Sequence, residues 1–243
     1  MGRILSYSNR ILSNKGITTL ATSLVAYYKL ESNGNDETGV NNFTNSAGLT
    51  YATGKIGNGA VFNGTTTFIS APDHASLNFG TGAFSISAWI NTSKNYSAAG
   101  GIIVDKVAYS GTDGRVYRIM GATDNRILFF FRDVSNNNVT LYSTNVVNTG
   151  TWIHVVANDD WTTAKIYING TLYVSVSSTT VGSTDNTNIL QIGRYTRSND
   201  AGSTYFQGNI DEIGLWSKAL TQAEVTDLYN STQGKTYPFV AQA

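Results

Sequence analysis

The chain has no cysteine. Disulfides, iron–sulfur clusters, cysteine-ligated zinc and a thiol nucleophile are therefore excluded. Charge is also scarce: 13% of the 243 residues are charged, 16 basic against 16 acidic. A net charge of +0 excludes nucleic-acid binding driven by a basic field and argues against a polybasic membrane anchor. No stretch reaches the ~18–20 apolar residues of a membrane span. Proline occurs only 2 times, and glutamate is confined to Glu31, Glu37, Glu212 and Glu224. With so few helix formers, an α/β enzyme has nowhere to place its crossover helices.

What remains is neutral and polar. About a third of the chain is Ser, Thr or Asn, with 24 Gly, yet 41% is apolar and 12% aromatic. Disordered chains lack bulky apolar residues, so this is a folded composition. β-Branched and aromatic residues with abundant Gly predict many short strands joined by tight turns.

Strands are expected at 24–30, 60–62, 67–71, 85–91, 102–107, 116–121, 126–133, 138–143, 152–158, 164–169, 172–177, 189–195 and 206–216. Ile86, Ala88 and Ile90 share one face of their strand and Trp89 takes the other, so both faces are expected to be covered. Asn169-Gly170 between two apolar runs is a hairpin signal. Thr221-Gln-Ala-Glu224 reads as a capping box opening one short helix to about Asn230. Without repeats or a linker, the chain divides into an arm at 1–23, one domain at 24–232 and a tail at 233–243. A dozen or so strands in one domain predict an all-β, two-sheet antiparallel sandwich with a single C-terminal helix.

Several segments then resemble one family. They are Ala26-Tyr-Tyr-Lys-Leu-Glu31 with Asn35-Asp36-Glu-Thr-Gly39, the glycine-rich run 54–64, and Phe84-Ser-Ile-Ser-Ala-Trp-Ile90. Gly150-Thr-Trp-Ile-His-Val155, Lys165-Ile-Tyr-Ile-Asn-Gly170 and Phe206-Gln-Gly-Asn-Ile-Asp-Glu-Ile213 follow in order, then 218–224. Together, over about 24–230, they resemble laminin-G-like, concanavalin A-like jelly-roll domains. That fold hosts lectins, glycanases, lyases, adhesion modules and virion proteins, so function must be argued from a site.

Catalysis finds little support. The glycanases of this fold carry a Glu-x-Asp-x-x-Glu strand, and no Glu lies between Thr38 and Asp211. Asp159-Asp160 are adjacent and face opposite ways on a strand, so they read as a loop pair. His154 reads as a packed strand residue and His74 as a surface loop residue. There is no G-x-S-x-G elbow, and the run 54–64 lacks a phosphate-loop Lys-Ser/Thr. By resemblance to the lyases, Arg118, His154 and Tyr167 are a weak alternative set.

The resemblance also implies a structural calcium, held by Asp211, Asp36 and the carbonyl near Gly64; the alternative is that Asp211 caps the neighbouring loop through backbone amides. For carbohydrate, Trp161 at a turn tip is the leading platform, with Tyr96, Tyr109 and Tyr195, and also Tyr205, at loops or strand ends. The expected function is a non-catalytic recognition or assembly module. Its first form is a virion surface protein, a bacteriophage head or tail decoration, whose partners are glycans and other virion proteins. The apolar arm, through which copies would associate, and the lack of a secretory h-region at the start favour that form. The alternative is a secreted or cell-surface carbohydrate-binding adhesion module, and a glycoside hydrolase or polysaccharide lyase ranks last.

Overall fold

The computed structural model describes residues 19–45, 48–96, 100–107, 116–195 and 204–239. The first half carries β1 (Leu24–Tyr28), β2 (Thr44–Asn45), β3 (Thr50–Thr53), β4 (Asn58–Asn63), β5 (Ile69–Ala71), β6 (Phe84–Asn91), β7 (Gly101–Val107) and β8 (Val116–Gly121). The second half carries β9 (Arg126–Arg132), β10 (Asn138–Val146), β11 (Ile153–Asp159), β12 (Thr163–Ile168), β13 (Thr171–Ser177) and β14 (Leu190–Ile192). The short β15 (Arg194–Tyr195) and β16 (Thr204–Tyr205), the long β17 (Gln207–Trp216) and helix α1 (Gln222–Tyr229) close it.

Pairing is antiparallel throughout the described residues. The 8-stranded sheet runs β13-β12-β11-β6-β17-β4-β3, with β1 also on β17; the 7-stranded sheet runs β10-β9-β8-β7-β14-β5-β2. Strand period 2 sends alternate side chains inward. Phe84, Ile86, Ala88 and Ile90 of one sheet meet Tyr117, Ile119, Phe129 and Phe131 of the other in a single core. Phe84 stands 5.8 Å from Tyr117, 5.8 Å from Phe129 and 5.7 Å from Phe131, ring centre to ring centre. Such offset and edge contacts add to the burial of the rings themselves.

A second, smaller core covers the outer face of the 8-stranded sheet. Tyr27, Val156, Tyr167 and Trp216 pack there under Leu220, Val225 and Leu228 of the helical segment and Phe239 of the tail. The expected covering of both faces of β6 is thus observed. The capping box forms as expected: Thr221 Oγ1 accepts from the Glu224 amide at 3.2 Å, and Glu224 Oε2 accepts from the Thr221 amide at 2.9 Å. At one end of the sandwich Lys106, fully buried, ties three loops together. Its Nζ donates to Asn78 Oδ1 at 2.8 Å and to the Asn186 carbonyl at 2.7 Å, and pairs with Asp73 at 2.9 Å.

Residues 1–18 of the expected arm lie outside the described residues. Its end does not stand free. Leu20 is wholly buried in the second core. Trp216 Nε1 donates to the Leu20 carbonyl at 2.7 Å, and Lys218 Nζ donates to the Thr19 carbonyl at 2.7 Å. We predict that Leu20→Ala lowers stability by about 2–5 kcal/mol, the ordinary range for an emptied core site. Urea unfolding checks this, and an unchanged midpoint would show that the arm's end frays from the domain.

Candidate functional site

The outer face of the 7-stranded sheet breaks the pattern of its class. An antiparallel sheet with one solvated face normally turns polar residues outward. In β9, Ile127, Phe129 and Phe131 point into the core, which sends Arg126, Leu128, Phe130 and Arg132 outward. Cross-strand register builds two rows from these. Tyr142, Leu128 and Met120 form one, and Thr140, Phe130, Arg118, Asp105 and Gln191 form the other. Leu128, Phe130 and Met120 are half-buried and Tyr142 is 38% exposed. The result is a ledge of aromatic and apolar groups open to solvent.

Guanidinium groups accompany the rings. Arg126 lies 4.7 Å from the centre of Tyr142, Arg118 4.2 Å from that of Tyr195, and Arg132 5.9 Å from that of Phe130. Cation–π contacts of this length restrain each ring. Arg118 is itself oriented by a buried partner, its Nε donating to Asp105 Oδ1 at 2.6 Å. The ledge therefore combines apolar faces with fixed hydrogen-bond donors.

The outer face of the 8-stranded sheet holds His154, Asp211 and Glu212, and the part around them is covered. His154 is buried against Trp89 and Tyr229, with ring centres at 4.9 and 6.2 Å. Its Nε2 meets Ser87 Oγ at 2.9 Å, and burial depresses its pKa to about 3. The ring is neutral and structural, as expected. Asp211 and Glu212 are 0% and 2% exposed at an irregular step in the β6–β17 register. Burial raises Asp211 to about 7 and Glu212 to about 8; the neighbouring Asp211 charge adds to the Glu212 shift, while the hydrogen bond from the Tyr27 hydroxyl opposes it. Protonated carboxyls suit acid catalysis, but both of these are buried.

The calcium candidates do not meet at one point. Asp211 Oδ2 accepts the Lys55 and Ile56 amides at 2.7 and 3.0 Å, and Oδ1 accepts the Glu212 amide at 2.9 Å. This is the loop cap left open as the alternative. Asp36 is engaged by its own turn, accepting the amides of Tyr27 at 2.9 Å, Thr38 at 3.0 Å and Asn41 at 2.9 Å. Gly64 follows Asn63, which pairs with Gln207, so it stands about 13 Å from Asp211 along β17 at ~3.3 Å per residue. Among the described residues no group of three or more His, Cys, Asp or Glu is placed to hold a metal. These residues do not fit a shared calcium ion.

The expected sugar platforms also scatter. Trp161 is half-buried at the turn between β11 and β12, with a left-handed φ of 67°. Tyr96 is a correction: it is buried in the main core, its hydroxyl accepting from the Gln207 amide at 3.1 Å, so it offers no face to a ligand. Tyr109 lies outside the described residues, and Tyr195 sits on the ledge beside Arg118. Asp159 corrects a second expectation, since it ends β11 fully buried and accepts from Ser178 Oγ at 2.5 Å rather than lying in a loop. Arg118 belongs to one sheet and His154 and Tyr167 to the other, so the lyase set does not assemble. Phe130, Leu128, Met120 and Tyr142 escaped the sequence reading. Their signal was parity: Arg126 and Arg132 share it with Leu128 and Phe130.

Glu212 makes the covered part of the 8-stranded sheet testable. Its ordinary pKa is 4.5, and in the fold it is raised to about 8. Between these values the folded protein keeps a proton that the unfolded chain has released. The stability this group contributes is therefore full below about pH 4.5 and is lost as pH rises through 8. Glu212→Gln keeps an acceptor for Tyr27 and removes the titration. Its urea midpoint should gain on the wild type from about pH 5 to pH 9, with a slope of up to about 1.4 kcal/mol per pH unit. A difference independent of pH would contradict the buried, protonated Glu212.

Comparison with known proteins agrees with this architecture. The family model described as Concanavalin A-like lectin/glucanases superfamily (Laminin_G_3) matches residues 63–226. No curated protein sequence matches the chain. Among solved structures, the binding domain of Paraclostridial Mosquitocidal Protein 1 superposes with a TM-score of 0.72 at 19% identity, over 87% of this chain and 53% of that one. The botulinum neurotoxin serotype D ligand binding domain, in complex with N-acetylneuraminic acid, gives 0.71 at 15% identity, over 88% and 52%. Domain 4 of AbnA, an extracellular arabinanase from Geobacillus stearothermophilus in complex with arabinotriose, gives 0.65 at 23% identity, over 84% and 97%. The chain thus spans about half the length of the toxin domains and nearly all of the arabinanase domain. With two large antiparallel sheets and one α-helix among the described residues, and a family match over most of its length, this chain belongs to the concanavalin A-like lectin/glucanase superfamily.

Proposed function

We propose that the protein is a carbohydrate-binding module that holds a glycan on the outer face of its 7-stranded sheet and leaves the chain uncut. One observation carries the reading: the outward positions of β8, β9 and β10 present Met120, Leu128, Phe130 and Tyr142 where polar residues belong. A contiguous apolar patch on a soluble domain marks a binding surface. Sugar rings offer an apolar face of C–H groups edged by hydroxyls. The rings of Phe130 and Tyr142 meet the first, and Arg118, Arg126 and Arg132 supply donors for the second. The sugars bound by two of the similar structures, arabinotriose and N-acetylneuraminic acid, support the same class of ligand.

Retaining hydrolysis needs two carboxyl groups about 5–5.5 Å apart flanking the bond. Among the described residues the carboxylates at the ledge are Asp105, buried and paired with Arg118, and Asp124, paired with Arg126; with both engaged by guanidinium groups, the arrangement favours retention over cleavage. The virion setting expected from the arm rests on residues 1–18, outside the described chain.

A glycan array followed by titration of the strongest hit tests this. Phe130→Ala combined with Tyr142→Ala should weaken binding at least tenfold, the effect of losing ~1.4 kcal/mol. Trp161→Ala, on the turn of the other sheet, should leave affinity unchanged. Full binding by the ledge variant with loss in the Trp161 variant would move the site to that turn.

A further inference from the structure

A second concavity lies away from the ledge, where the end of β6 meets the start of β17. It is a cleft of about 220 Å³ whose lining includes Asn91, Thr92, Lys94, Gln207, Gly208 and Asn209. Its floor is rigid. Asn91 pairs with Asn209 in register, Thr92 Oγ1 donates to the Gln207 carbonyl at 2.7 Å, and the buried Tyr96 hydroxyl holds the Gln207 amide. Gly208 has φ 135°, and a Cβ there would meet the Asn91 carbonyl oxygen at 2.2 Å, so only glycine lets the two strands close.

The walls are chemically distinct from the floor. The side-chain amides of Asn91, Gln207 and Asn209 and the ammonium of Lys94 have no partner within the described residues. By contrast, Asn63 Oδ1 is tied into its own turn by the amides of Thr65 and Thr66. No carboxylate lines the cleft. Ile153, which pairs with Ile90, is a core residue, so alternation turns the half-buried Trp152 to the outer face beside Asn91.

We propose that this cleft is a second saccharide site, taking one acidic sugar residue such as a uronic acid. Paired donor and acceptor atoms on three amides match adjacent hydroxyls without a charge to desolvate. Lys94, unopposed in the cleft, selects a carboxylate. The volume is below the ~300–1,000 Å³ of pockets for drug-sized ligands, which fits a single ring. Two sites on different sheets would let one copy bridge two glycan chains or two points of one chain, and avidity would follow from their linkage.

Titration of methyl glucuronide into ¹⁵N-labelled full-length protein tests the site directly. The side-chain amide resonances of Asn91, Gln207 and Asn209 should shift saturably. Methyl glucoside should bind at least tenfold more weakly, and Lys94→Gln, an exposed position, should raise Kd for the glucuronide at least tenfold. The protein carrying both Phe130→Ala and Tyr142→Ala should bind methyl glucuronide as the wild type does, which separates this cleft from the ledge. Absence of saturable shifts at those amides, or equal affinity for the two methyl glycosides, would overturn the proposal.

Discussion

The contact on which the structure depends is the meeting of Phe84 with Tyr117, Phe129 and Phe131 across the two sheets. It fixes more than stability. Strand side chains alternate with period 2, so a one-residue slip would exchange the two faces. Once Phe129 and Phe131 are held inside, Leu128, Phe130, Arg126 and Arg132 have one place to go. The core thus determines the composition of the open ledge, and the ledge inherits its rigidity from the core.

The two outer faces have opposite fates for a simple reason. On the 8-stranded sheet, the segment at Leu20, the helix and the tail return across the surface and bury Tyr27, Val156 and Trp216. That cover drives Asp211, Glu212 and His154 toward their neutral forms, because burial disfavours charge. Groups that would suggest catalysis on a solvent-facing sheet serve here as a loop cap, a Tyr27 partner and a stacked ring. The ledge of the other sheet keeps its charge, but as guanidinium beside aromatic rings. Rings flanked by hydrogen-bond donors are the features on which the proposed glycan binding rests.

Much of the fold was legible in the chain. Thirteen expected strands have counterparts within a few residues, and the Thr221 capping box forms as read. The missed strands, Thr44–Asn45, Thr50–Thr53 and Thr204–Tyr205, carry no apolar alternation and exist because a neighbour offers free backbone groups. The site was harder. Tyr96 and Trp161 both sit near loops in sequence, and only the tertiary path decides that one closes the core while the other stays half-exposed. In Arg126-Ile-Leu-Phe-Phe-Phe-Arg132 the apolar run hides its outward half, since each residue suits either face. The flanking arginines mark the solvent side, but a periodicity reading that counts only apolar residues passes over them.

Covalent footprinting of the protein with and without a bound polysaccharide, with saccharide length followed by mass spectrometry, tests the central claim most directly. The account predicts that protection centres on Met120, Phe130 and Tyr142 while the polysaccharide keeps its full length. Shortened chains, or protection confined to the helix-covered sheet, would contradict it.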